Sequence, residues 1–216
     1  RIESKEQFEA LRAQSLENEA NRKQQVLVCC GTGCLASGSK KVAEAFADEI
    51  AKRSIDATVD LFVKSTGCHG FCERGPLVVL KPQGILYTKV KPKRVEEIVE
   101  KTLIGGEVIP GLLYKEPVSG DRVEQYAEIP FYKNQKRTLL CSNIKIDSKS
   151  IDDYFAIGGY SALQKALFEM SAEQVVEEVK KSNLRGRGGA GFPAGRKWEG
   201  SRNAEEPIKY VIVNAD

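Results

Sequence analysis

Cys29-Cys-Gly-Thr-Gly-Cys34 and Cys68-His-Gly-Phe-Cys72 stand 33 residues apart. Each follows a short run read as a strand, Gln25–Cys30 and Ala57–Val63. A thiolate is a strong ligand for iron or zinc. Four thiolates from two loops make a tetrahedral sulfur shell, and zinc or an iron–sulfur cluster fits it. Cys29, Cys34, Cys68 and Cys72 are the candidates, and Cys30 also stands at a plausible spacing from Cys34. No Cys-x-x-Cys pair is present, which argues against thioredoxin activity. Gly31, Gly33, Gly67 and Gly70 leave backbone N–H groups free to point at sulfur. His69 is the one histidine. A Rieske centre needs two, so His69 reads as a loop residue. Cys141 stands alone and reads as a small buried hydrophobe.

Outward from these loops the periodicity alternates. Residues 4 to 22 read as a helix with a possible Ser4/Gln7 capping box, forming an N-terminal helix or docking arm over 1–23. Ser39–Arg53 carries Val42, Phe46 and Ile50 at helical spacing. Pro76–Leu80 and Ile85–Val90 form a hairpin through Lys81-Pro-Gln-Gly84. Pro92 opens a helix carrying Val95, Ile98, Val99 and Leu103. The order strand, helix, strand, strand, strand, helix fits a thioredoxin-like α/β layer over 24–104, about 80 residues. Residues 105–136 carry three prolines and little periodicity, and read as a linker lying across the surface. Residues 137–216 open a second domain. Arg137–Cys141 is expected as a short strand, followed by helices over 150–157, 160–169 and 171–182. Ser171 and Gln174 form a capping box on the last of these. Ile208–Val213 is expected as a buried parallel strand.

The second motif is Leu184-Arg-Gly-Arg-Gly-Gly-Ala-Gly-Phe-Pro-Ala-Gly-Arg-Lys-Trp198. Five glycines among four cations suit a phosphate, because backbone N–H groups can approach it closely. A flexible surface loop is the plainer reading, but Phe192 and Trp198 are costly in a disordered linker. Gly186-Arg-Gly-Gly-Ala-Gly191 fits G-x-G-x-x-G, yet a helix rather than a strand precedes it. A P-loop fails, since Trp198 stands where Ser or Thr should bind magnesium.

The chain has 216 residues, 41% apolar and 29% charged, as in an ordinary soluble globular protein. A net charge of +3 from interspersed residues argues against nucleic acid. No apolar run suits membrane insertion and no signal peptide is visible, so a cytoplasmic location is expected. The chain starts with Arg1, and stops at Asp216 directly after an expected strand. A piece of a longer subunit is therefore expected.

Both motifs resemble known families. Cys-x4-Cys followed by Cys-x3-Cys, with Thr66-Gly-Cys-His-Gly-Phe-Cys-Glu-Arg-Gly-Pro76, resembles the thioredoxin-like [2Fe–2S] ferredoxin. Gly186 through Trp198 with Val213-Asn-Ala-Asp216 resembles the FMN- and NADH-binding flavoprotein subunit of respiratory NADH dehydrogenase, also found in soluble NAD-linked hydrogenases and formate dehydrogenases. The fused order resembles the beta subunit of soluble, electron-bifurcating [FeFe]-hydrogenases. The fold implied is a thioredoxin-like [2Fe–2S] domain, a linker and the N-terminal part of an FMN-binding α/β domain. The resemblance implies that Cys29, Cys34, Cys68 and Cys72 ligate a [2Fe–2S] cluster. It further implies that Gly186, Arg187, Gly188, Lys197, Asn214 and Asp216 serve FMN, and that Phe192 lies near NAD(H) or NADP(H). A nicotinamide gives up two electrons as hydride, a cluster accepts one, and a flavin mediates. An oxidoreductase subunit is expected, inactive as this piece alone. Its expected partners are a small [2Fe–2S] subunit and a catalytic Fe–S subunit, with [4Fe–4S] clusters beyond Asp216. A zinc-stabilised interaction module and an electron carrier without flavin remain the other readings.

Overall fold

The structure, a computed structural model, describes residues 2–22, 24–53, 61–210, 212 and 214. Contacts divide the chain into two compact units, Glu9–Gly159 and Arg1–Phe8 with Tyr160–Asp216.

The larger unit is built on a four-stranded sheet of order β2-β1-β3-β4. Its strands are β1 (Gln24–Cys29), β2 (Leu61–Thr66), β3 (Val78–Lys81) and β4 (Ile85–Tyr87). β1 pairs parallel with β2 and antiparallel with β3, and β3 with β4 is the expected hairpin. The described part of β2 runs on to Thr66, past the expected end at Val63, while residues 57–60 lie outside the described residues. Between the strands lie α2 (Thr32–Ala36), which the sequence pattern did not announce, and α3 (Ser39–Arg53). After β4 a helical stretch starts as a tight turn at Pro92–Arg94. It continues as α4 (Val95–Glu97) and winds wider over Ile98–Ile104.

Strand alternation sorts the core into two clusters, since successive side chains take opposite faces. Val26, Val28, Val78, Leu80, Ile85 and Tyr87 join Val42, Phe46, Val95 and Ile98 in one cluster. Leu27, Cys29, Leu77, Val79 and Leu86 join the other. The expected linker supplies both. Ile109, Leu112 and Leu113 are buried in the first cluster, and Tyr114, Ile129 and Tyr132 in the second. Residues 105–159 thus belong to the same compact unit as the cysteine loops. Their apolar side chains are spaced irregularly because they cap a sheet face from loops and the short β5 (Tyr114–Lys115), β6 (Arg122–Val123) and α5 (Pro130–Lys133).

The expected strand at Arg137–Cys141 is absent. That stretch is bends and turns, and Leu139 is exposed. The edge of β2 is met instead by an antiparallel bridge from Asp147 to Thr66, with Ser65 N–H donating to Asp147 Oδ2 at 3.1 Å. Next to that bridge lies a buried ion cluster. Lys64 is 1% exposed. Its Nζ meets Glu19 of α1 (Lys5–Ala20) at 2.7 Å and Asp153 of α6 (Ile151–Ala156) at 2.8 Å. Arg22 reaches Asp153 at 2.9 Å. The N-terminal helix is thereby tied to the sheet.

The smaller unit is helical: α7 (Ser161–Phe168), α8 (Ala172–Lys181) and α9 (Ala194–Asn203). Ser171 and Gln174 cap α8 reciprocally, as the sequence predicts. The expected strand Ile208–Val213 is not formed at the described positions, and Ile212 is 92% exposed. A buried parallel strand needs neighbours, and among the described residues of this unit there is none.

Candidate functional site

β1 delivers Cys29 to the second core cluster, beside Leu27. The next residue, Cys30, points the other way and packs on the first cluster. Cys34 is buried on α2, and Cys68 follows β2. Cys72 opens a short turn, Cys72–Arg74, and is exposed. Cys29 Sγ donates to Gly67 O at 3.6 Å, and the neighbouring Cys34 thiol draws the Cys29 thiol down to about 6, aided by N–H groups of Gly31 and His69. The Cys34 proton is held harder, first through Cys29 and then by burial. Cys68 and Cys72 lie 3.9 Å apart, sulfur to sulfur. The Cys72 thiol is raised, chiefly by its contact with Cys68. The two pairs are neighbours, since a Cβ on Gly33, beside Cys34, would fall 3.1 Å from Cys72 Sγ. Among the described residues no three His, Cys, Asp or Glu side chains form a single-ion site.

The loops interlock through glycine. A Cβ on Gly31 would fall 2.6 Å from Cys68 Cβ and 2.8 Å from its Cα. A Cβ on Gly75 would fall 2.7 Å from Cys34 Sγ. Any side chain at these positions would drive the pairs apart. Backbone N–H donation to sulfur is present, from Gly70 to Cys68 Sγ at 3.3 Å. Thiols in two pairs, glycine-lined approach and amide donors fit a two-iron cluster, which takes two thiolates per iron.

His69 is buried away from a ligand role. Its Nε2 meets Thr66 Oγ1 at 3.1 Å and its Nδ1 meets the Tyr132 hydroxyl at 3.5 Å. Burial, and then the Arg137 cation, pulls it down to about 3, so it is neutral. Cys141 is exposed rather than buried, its thiol donating to Thr138 O at 3.2 Å.

The glycine loop joins α8 to α9 and closes on itself. Gly186 N–H donates to Phe192 O at 2.9 Å, Ala194 N–H to Leu184 O at 2.8 Å, and Arg185 Nη1 to Gly191 O at 3.2 Å. Gly189 and Gly191 take positive φ, 102° and 59°. Arg187, Gly188 and Lys197 are exposed, and Phe192 and Trp198 are about half exposed. Beside the loop is a cavity of about 740 Å³ lined by Lys180, Arg185, Phe192, Pro193 and Arg196 among others. Bare amides, cations and the start of α9 suit a phosphate-bearing ligand. Asn214 is exposed, and Asp216 lies outside the described residues.

Residues 14–103 match the family described as thioredoxin-like [2Fe–2S] ferredoxin, and 179–216 match the Nuo51 FMN-binding domain. A 2Fe–2S ferredoxin from Clostridium pasteurianum is 39% identical over 79 residues, covering 37% of this chain and 76% of that protein. A Rhizobium meliloti NADH-quinone oxidoreductase subunit is 49% identical over 79 residues, covering 36% of this chain and 19% of that protein. NAD-reducing hydrogenase HoxS subunit alpha from Cupriavidus necator is 27% identical over 199 residues, covering 90% of this chain and 30% of that protein. The chain thus spans well under half the length of these two oxidoreductase subunits.

Proposed function

This chain belongs, over residues 14–103, to the thioredoxin-like [2Fe–2S] ferredoxin family, and we propose that it is the electron-transfer part of an NAD(P)H-linked oxidoreductase subunit. The observation that carries the reading is the approach of two thiol pairs, Cys29 with Cys34 in one core cluster and Cys68 with Cys72 on the loop packed against them. Two pairs support a [2Fe–2S] centre over a single zinc, which would draw all four sulfurs to one point. Such a centre supplies one-electron transfer. The protein's part is to hold the sulfurs, bond Cys68 Sγ from Gly70, and bury Cys29 and Cys34 while Cys72 stays exposed as a point of electron exit.

The glycine loop is the proposed FMN phosphate site. Gly186, Arg187, Gly188 and Lys197 are the proposed contacts there, with Phe192 toward the nicotinamide cofactor. Asn214 and Asp216 are proposed from the motif alone. The flavin would link two-electron and one-electron chemistry. The similarity to an NAD-reducing hydrogenase subunit across 90% of this chain supports a hydrogenase complex, with further Fe–S subunits as partners. Electron bifurcation is the finest form of this proposal, and complex I-type or formate dehydrogenases are the neighbouring assignments.

Flavin content tests the loop. In the complete subunit, Gly188→Val removes bound FMN while sparing the cluster EPR signal. Lys197→Ala weakens flavin binding by about 1.5–3 kcal/mol, the worth of a charge-assisted contact. Full flavin and full NADH oxidation in Gly188→Val would remove the loop from the cofactor site.

A further inference from the structure

Arg137 and Asn143 lie outside residues 14–103, yet both grip the second cysteine loop. Arg137 Nη2 donates to His69 O at 2.6 Å, and Asn143 Nδ2 donates to Cys68 O at 3.3 Å. The same Nη2 lies 3.7 Å from where a Cβ on Gly70 would sit, and Gly70 N–H is the donor to Cys68 Sγ. The guanidinium rests over the rings of Tyr132, at 4.9 Å, and Phe131, at 5.5 Å. Its Nε and Nη1 are buried with no hydrogen-bond partner. Among the described residues no carboxylate forms an ion pair with it.

An arginine guanidinium carries its positive charge in proteins. A partly buried cation without a counter-charge is costly, unless an anion nearby offsets it. The cysteine quartet is that anion once its thiols are deprotonated. His69, whose carbonyl the guanidinium holds, directly follows Cys68, and Tyr132 beneath the cation packs in the same cluster as Cys29 and Cys34. Arginine and thiols therefore share one electrostatic neighbourhood.

We propose that Arg137 sets the reduction potential of the centre held by Cys29, Cys34, Cys68 and Cys72, making it easier to reduce. The inference rests on reading those cysteines as [2Fe–2S] ligands. Reduction adds one electron and one unit of negative charge, and no bond is made or broken. A fixed cation stabilises the reduced form more than the oxidised form. Packing between aromatic rings keeps water from screening it. The residue acts on the centre through space, so it is a positioning residue.

An EPR-monitored titration of the full chain with dithionite reads the effect. In Arg137→Gln, the reduced-to-oxidised ratio at a fixed potential falls about tenfold, which is 59 mV for a one-electron couple. Arg137→Lys keeps the charge and stays within about threefold of wild type. Lys136→Gln removes an exposed charge one residue away and leaves the midpoint unchanged. An unshifted Arg137→Gln overturns the proposal. So does an equal shift in Arg137→Lys or Lys136→Gln, or loss of the centre from both Arg137 variants, which would make the residue a clamp. A wild-type chain without the centre fails the ligand reading beneath it, and is told apart because no variant is involved.

Discussion

Replacing Asp153 by alanine lowers the stability of the Glu9–Gly159 unit by about 3–5 kcal/mol, the usual cost of leaving a buried charge without its partner. Asp153 is 3% exposed and binds Lys64 Nζ at 2.8 Å and Arg22 at 2.9 Å. It also accepts from Asp147 N–H at 2.8 Å, holding the turn that bridges to β2. Lys64 keeps Glu19, which is partly exposed and supplies only part of the lost attraction. Denaturant unfolding of variant and wild type measures the difference. The double change Lys64→Met with Asp153→Leu recovers most of it, because an apolar pair needs no desolvation of charge. Recovery without loss in the single variant would mean that the cluster is not a structural tie. The pH dependence has a fixed sign. Burial pushes the Asp153 and Glu19 carboxyls up, but bonds to Lys64 and its neighbours outweigh it, so both sit below their ordinary range. A group depressed in the fold stabilises fully above its unfolded pKa, about 4, and loses that stabilisation as pH falls through the folded value. Wild type therefore weakens steeply below about pH 4, and Asp153→Ala weakens less steeply there.

Single changes of Cys29, Cys34, Cys68 or Cys72 to serine abolish or strongly weaken the visible absorption and the reduced-state EPR signal. Cys30→Ser and Cys141→Ser retain both. The distinction between Cys29 and Cys30 follows from strand alternation, which puts Cys29 with Leu27 on the cluster face and Cys30 with Val26 and Val28 on the other. An intact signal in Cys29→Ser with loss in Cys30→Ser would move the ligand register by one residue and contradict this packing.

The sheet was legible because its strands carry local signals. The runs at Val26–Val28 and Val78–Leu80 and the turn at Pro82–Gly84 each announce themselves within a few residues. The cysteine spacing was legible for the same reason. The hold on the second cysteine loop was not. Arg137, Asn143 and Tyr132 reach it from a stretch without periodicity, and nothing local marks a side chain that bonds a distant carbonyl. Lys64 carries no local mark of burial, yet it is buried because Glu19 and Asp153 arrive from two other elements. Ile208–Val213 shows the converse. Apolar composition predicts burial, but a strand needs a sheet to join, and the described residues of that unit supply none.

Metal and sulfide analysis of the anaerobically purified 216-residue chain tests the central claim most directly. The account predicts iron and acid-labile sulfide in equal amounts, two of each per chain, with an EPR signal that appears on one-electron reduction. One zinc per chain, no labile sulfide and a colourless protein would contradict it.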